Sequence, residues 1–329
     1  MTRPTSESAA RGRDLAPRLW AVTSYFNPVG FRRRLANYRV FRQRLAVPLV
    51  TVEVARSRDA FQLQPGDADI LVQLVGEDRL WQKERLLNLA VQEVPRECDA
   101  IAWLDCDIVF ERDDWAHLTR QALQRYAFIQ PFAAFSELSP DAMLRNGQVS
   151  GVLGGGASSG YRLANGTTVD HLFERRRGNR MQRGSTVGLA WAAPRDLLAR
   201  HGLYDAFILG GGDKAMVVAA LGRFDLVASL DMNERQTAHY LAWARPFFDD
   251  VRANVGYADG RVYHLWHGDL QDRRTRQRHV AFARFDFDPS ADIALDASGC
   301  WHWNSPKPEM HAYLRRYLES RHEDGRPPS

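Results

Sequence analysis

The chain of 329 residues is long enough for one large domain and too long for a mini-domain stapled by disulfides or zinc. Hydrophobic residues at 45% and charged residues at 26% are ordinary globular proportions, which excludes wholesale disorder and fibrous repeats. The formal net charge is only +4, and because lysine occurs solely at Lys83, Lys214 and Lys307, arginine carries nearly all the positive charge.

No apolar run reaches the roughly 20 residues a membrane helix needs, and residues 1–18 lack the apolar stretch of a secretion signal. Cys98, Cys106 and Cys300 are odd in number and irregularly spaced, fitting neither a disulfide framework nor a zinc cluster. The expectation is a cytoplasmic protein with reduced thiols. The runs Arg32–Arg34, Arg175–Arg177 and Arg273–Arg274 read first as solvated faces and second as phosphate contacts.

Residues 1–18 and 322–329 are expected to be loose tails. Between them, Leu19–Thr23 is short and β-rich and runs into a loop at Asn27-Pro28. A helix over about 31–45 follows, apolar at Leu35, Tyr38, Phe41 and Leu45, and then strands over 48–54 and 69–74. Leu80, Leu86, Leu87, Ala90 and Val91 mark one face of a second helix, and Ala100–Leu104 is an apolar run of strand length. That order predicts an α/β protein, a mixed, mainly parallel sheet with flanking helices, whose ligands gather at the carboxyl ends of the strands. A helix over 113–125 and a strand over 128–132 come next.

From 137 to 184 periodicity dissolves and Gly151, Gly154, Gly155, Gly156 and Gly160 crowd together. Residues 136–185 therefore read as a flexible insert between a first half (19–135) and a second half (186–321) of a single domain. Order returns with the apolar stretch Val187–Ala193, a helix after Pro194, a strand over 261–266 and a helix over 309–318.

The most informative tripeptide is Asp105-Cys106-Asp107, at the end of the buried run. In extended backbone the two carboxylates project to one side, where they repel unless a cation such as Mg²⁺ or Mn²⁺ lies between them. Acids of a turn ahead of Asp113-Asp114 are the competing explanation. His264 and His267 add imidazoles, which suit Mn²⁺ better than Mg²⁺, although three-residue spacing puts them on opposite faces unless the chain turns near Gly268. Gly210-Gly211-Gly212-Asp213 opens a helix-like run, so Asp213 is either a helix cap or a general base on a glycine floor. Walker, dinucleotide-binding and nucleophile-elbow patterns are absent.

The order of these blocks resembles the metal-dependent GT-A glycosyltransferases, specifically the β-1,4-galactosyltransferase family. Trp81-Gln82-Lys83-Glu84-Arg85-Leu86-Leu87-Asn88 is similar to its Phe-Asn-Arg-Ala-Lys-Leu-Leu-Asn helix, and Asp105-Cys106-Asp107 to its Asp-Val-Asp. Gly188–Trp191, His201–Tyr204 and Gly210–Asp213 resemble its Gly-Gly-Val, Asn-Gly-Phe and Gly-Gly-Glu-Asp segments. The resemblance implies a Rossmann-like nucleotide-sugar-binding half with an acceptor half, a UDP-sugar donor and Mn²⁺ or Mg²⁺. It makes Asp213 catalytic and Asp105, Asp107, His264 and His267 metal ligands. It puts Lys83, Asn88 and Asp105 on the donor, joined through topology by Tyr25, Phe26, Asn27 and Glu53, with Trp191, Gly211 and Gly212 on the acceptor side. Gly212 departs from the family's glutamate.

The expected reaction is inverting transfer of a sugar to an acceptor hydroxyl, with Asp213 as general base. The acceptor would be a saccharide, a small molecule or, given the arginines after His267, a nucleic acid. A silent sugar-nucleotide- or glycan-binding module and a metal-dependent phosphohydrolase use the same residue types. The segment 268–279 is expected to fold over bound donor.

Overall fold

The computed structural model describes residues 19–145, 148–173, 184–274 and 277–326. The expected tail 1–18 and the run Arg175–Arg177 lie outside these residues.

The strands of two sheets are β1 (Leu19–Phe26), β2 (Leu49–Ala55), β3 (Ile70–Val75), β4 (Ala100–Leu104), β5 (Ile108–Phe110) and β6 (Phe128–Gln130). They continue with β7 (Ala134–Leu138), β8 (Val152–Ser158), β9 (Ser185–Thr186), β10 (Ala190–Pro194), β11 (Val255–Tyr257) and β12 (Arg261–His264). The principal helices are α1 (Arg32–Arg44), α2 (Lys83–Glu93), α3 (Trp115–Leu123), α4 (Gly212–Ala220), α5 (Glu234–Val251) and α6 (Pro308–Glu319).

The larger sheet has seven strands in the order β11-β6-β10-β4-β1-β2-β3, with β1 parallel to β2 and β4, and β10 antiparallel to β4 and β6. Strand alternation explains how it fills both faces. In β1, Leu19, Ala21 and Tyr25 join one apolar core and Val22 the other; in β4, Ala100, Ala102 and Leu104 part in the same way from Ile101 and Trp103. The mixed, mainly parallel α/β architecture is the expected one.

A five-stranded sheet, β9-β8-β7-β12-β5, adjoins it. Strand β4 belongs to the first sheet and β5 to the second, so Asp105-Cys106-Asp107 is the crossover between them. These residues form a turn rather than an extended run, which removes the alternation argument for two carboxylates on one side.

Within the expected flexible insert, β8 and part of β7 and β9 are built into this sheet. Strand β8 pairs antiparallel with β7 through the glycine run, because side chains there would strike backbone: a Cβ on Gly155 would lie 2.1 Å from the Phe135 carbonyl oxygen and one on Gly156 2.2 Å from that of Gly184. Glycine crowding thus marks close strand packing, which mimics a loop in composition.

The C-terminal end differs from expectation too. Within the expected tail, residues 322–326 include Glu323, which is fully buried and ion-paired with Arg34 and Arg321 at 2.5 Å each. Helix α5, the longest, carries Pro246 within it and packs Tyr240, Ala244 and Phe247 into the core. No helix among the described residues is long and apolar enough to cross a membrane.

Candidate active site

Asp107 leaves the β4–β5 turn one residue before Ile108, which pairs with His264 of β12, and His264 pairs in turn with Glu137 of β7. The register therefore lines up Ile108, His264 and Glu137 across three strands, and Asp107 just ahead of Ile108 has its Oδ1 3.5 Å from His264 Nε2. Strand β12 ends at His264, two residues short of the sequence expectation, and the chain turns so that His267 faces inward as well. The ligand atoms of Asp107, His264 and His267 all lie within 4.8 Å of one another.

His264 Nδ1 is 2.7 Å from the Glu137 carboxylate, so that nitrogen donates and Nε2 is the one turned toward Asp107. His267 Nε2 lies 2.7 Å from Arg273 Nη2, 2.9 Å from Asp107 Oδ2 and 3.2 Å from His264 Nε2, while its Nδ1 faces Glu323 Oε1 at 3.7 Å. One imidazole nitrogen thus meets a carboxylate, a second imidazole and a guanidinium, and the Arg273 guanidinium supplies positive charge to this crowd of ligand atoms. Burial works to raise the Asp107 carboxyl, but His267 and then His264 outweigh it and hold it well below the usual carboxylate range. Its buried Oδ1 has no hydrogen-bond partner. Two imidazoles and a carboxylate, each imidazole backed by a buried glutamate, fit Mn²⁺ or a similar divalent ion.

Asp105 stands apart from this trio, because Lys83 at the start of α2 takes it at 2.6 Å. Lys83 also holds Asp213 at 3.1 Å, so one ammonium ties the end of β4 to the start of α4. Burial lowers the Lys83 pKa, but Asp105 and Asp213 reverse this and raise it well above normal, so the amine stays charged. Leu189, at a left-handed φ of 84°, directs its carbonyl to the Asp105 N–H at 2.8 Å. Gly211, at φ 114°, turns the chain into α4.

Glu84, which sequence reading passed over, fills the space beside Gly212. A Cβ on Gly212 would lie 2.2 Å from Glu84 Oε1. A carboxyl from α2 thus stands against the first residue of α4. Burial, and after it Asp213 against the opposing Lys83, pushes the Glu84 carboxyl up to about 8. The available signal was an acid inside an otherwise matching motif.

Other expected residues lie elsewhere. Asn88 spends its amide on Leu203 and Asp205, tying α2 to the Gly202 turn. Trp191 is fully buried, stacks on Phe128 at 4.3 Å and donates to the Val187 carbonyl, so it belongs to the core. Glu53 accepts from Gln62 N, Leu63 N and Gln73, while Tyr25 and Asn27 both donate to Gln62 Oε1. These three therefore share one network through Gln62, and Phe26 contributes a carbonyl to Arg34. Glu137, Glu323 and Arg273 were not anticipated; each is remote in sequence from the ring it touches, apart from Arg273, six residues beyond His267.

No family model and no curated protein matches the chain. Among solved structures it is similar to the mannosyltransferase PcManGT from Pyrobaculum calidifontis in complex with GDP-Man and Mn²⁺, at 14% identity over 93% of this chain and 73% of that one, TM-score 0.40. It is also similar to glucosyl-3-phosphoglycerate synthase from Mycobacterium tuberculosis in complex with Mg²⁺ and uridine diphosphate, at 11% identity over 87% and 86%, TM-score 0.39. A third, 4-diphosphocytidyl-2C-methyl-D-erythritol synthase from Anaerococcus prevotii, gives 10% identity over 74% and 86%, TM-score 0.33. At these identities and scores the likenesses carry no argument about chemistry, which rests on the residues themselves.

Proposed function

We propose that the protein is a metal-dependent glycosyltransferase that moves a sugar from a nucleotide diphosphate sugar, a UDP-sugar by resemblance, to an acceptor hydroxyl with inversion. The observation that carries this reading is the juxtaposition, through Lys83, of Asp105 at the end of β4 and Asp213 at the start of α4, close in sequence to the metal-binding trio that begins at Asp107.

Asp107, His264 and His267 would hold the divalent ion, and a bound ion supplies Lewis-acid neutralisation of a departing diphosphate. Lys83 adds positive charge on the same side. Asp213 accepts the proton of the acceptor hydroxyl as that oxygen bonds to the anomeric carbon; the bond from that carbon to the diphosphate oxygen breaks, and its electron pair leaves with the diphosphate. Charged Lys83 keeps Asp213 ionised, as a base must be. Buried Glu84 beside Gly212 shapes the wall next to the base.

Asp213→Asn tests the assignment. Loss of transfer by about 10²–10⁴-fold, with binding of UDP and metal retained, is expected of a general base. Undiminished turnover removes Asp213 from the mechanism.

A further inference from the structure

Two arginines share one carboxylate, and a third stands beside them behind the glycine loop. Arg34 and Arg321 both pair with Glu323. Arg278 has no carboxylate partner among the described residues: it donates to the Tyr317 hydroxyl, the Arg273 carbonyl and His279. Arg321 donates to the same Tyr317 oxygen at 3.1 Å. Arg278 and Arg321 are only 8% and 5% exposed. With Glu323 taken up by Arg34 and Arg321, Arg278 beside them is short of negative charge, and burying charge without a counter-ion is costly.

The surroundings respond to that excess. Burial raises the Tyr317 phenol, yet Arg321 and Arg278 outweigh it and lower its pKa. His279 is pushed down to about 3 by burial and then by Arg278, so it stays neutral and adds no charge of its own. The described groups that face Arg278 thus come from α6, from the segment following His267 and from the glycine loop, and none of them is an acid.

The position of Arg278 says what the missing anion belongs to. Its Nη2 lies 3.0 Å from where a Cβ on Gly210 would stand, and His279 Nε2 lies 3.5 Å from that of Gly211. Gly210, with φ 77° and no side chain, lets its loop run directly against the Arg278 guanidinium. Arg278 therefore abuts the loop that leads into Asp213, whereas Lys83 and the trio of Asp107, His264 and His267 serve the donor diphosphate. We infer that Arg278, with Arg321 and Tyr317, forms an oxyanion site on the acceptor side, and that the acceptor carries a phosphate or carboxylate besides its reacting hydroxyl. The acceptor assignment rests on the glycosyltransferase reading; the oxyanion site does not.

Binding of inorganic phosphate, followed by thermal shift in EDTA at constant ionic strength set with chloride, tests the site on the whole protein. Wild type should show a saturable rise, and Arg278→Gln should weaken apparent phosphate affinity about tenfold or more, with Arg278→Lys between them. Equal responses in wild type and Arg278→Gln overturn the site; should the Gln variant fail to fold, Arg278→Lys and Tyr317→Phe make the same comparison. With Mg²⁺ and saturating UDP added, the phosphate effect should persist. Its disappearance there means the anion is the donor's own diphosphate and overturns the acceptor assignment. Absence of any UDP response with metal removes the glycosyltransferase reading and the acceptor assignment with it, while the phosphate comparison still decides the oxyanion site.

Discussion

Gly212 and Glu84 illustrate how one residue's chemistry is set by another's absence. Gly212 begins α4 at an unexceptional φ, where alanine would ordinarily favour the helix by about 1 kcal/mol. Three atoms of the Glu84 side chain within 2.8 Å of its would-be Cβ forbid that. Gly212→Ala should therefore destabilise by roughly 1–3 kcal/mol, as overpacking does, and the same change in a Glu84→Ala background should cost little or be favourable. Chemical denaturation of the four proteins reads the coupling; an equal cost in both backgrounds rules out Glu84 as the cause. Lys83, Asp107, His264, His267 and Asp213 stood out in the sequence, and the fold brings Asp107 to the two imidazoles and Asp213 to Lys83. Glu84 did not stand out, since nothing in one sequence says that its carboxyl packs against the start of another helix. Trp191 and Asn88 look the same in sequence whether they face a ligand or hold the core together.

At the scale of elements, order and type followed from apolar spacing wherever a segment had one clear period, as in β1, α1, β4 and α6. The segment 136–185 defeated that reading because Gly155 and Gly156 serve strand contact rather than freedom, and helix α5 because Pro246 within it looks like a helix end in sequence. The C-terminal residues defeated it for a different reason. A charged, proline-rich ending reads as solvated, yet the Glu323 carboxylate is pulled inside by Arg34 and Arg321. Glu323→Gln, which leaves both guanidinium groups without it, should cost about 2–4 kcal/mol, and a chain ending at Ser320 at least as much. Denaturant unfolding checks this, and stability unchanged by either alteration would show the ending to be dispensable. The same variants bear on His267, whose Nδ1 faces that glutamate.

In the whole molecule, two sheets meet at Asp105-Cys106-Asp107, and that junction gathers groups from α2, β7, β12, α4 and the C-terminal segment. Burial of this many ionisable groups is costly unless a ligand or cation balances them, which is why the crossover rather than an apolar cavity is the candidate site. The central claim is that a divalent ion held by Asp107, His264 and His267 is what lets a nucleoside diphosphate bind. Thermal unfolding of wild type and Asp107→Asn with Mn²⁺, with UDP in EDTA, and with both tests it most directly. Mn²⁺ should stabilise wild type alone, by about 2.7 kcal/mol at a hundredfold excess over its dissociation constant, and UDP should add to that only when Mn²⁺ is present. Equal stabilisation of the Asp107→Asn variant by Mn²⁺, or of wild type by UDP with and without metal, would contradict it.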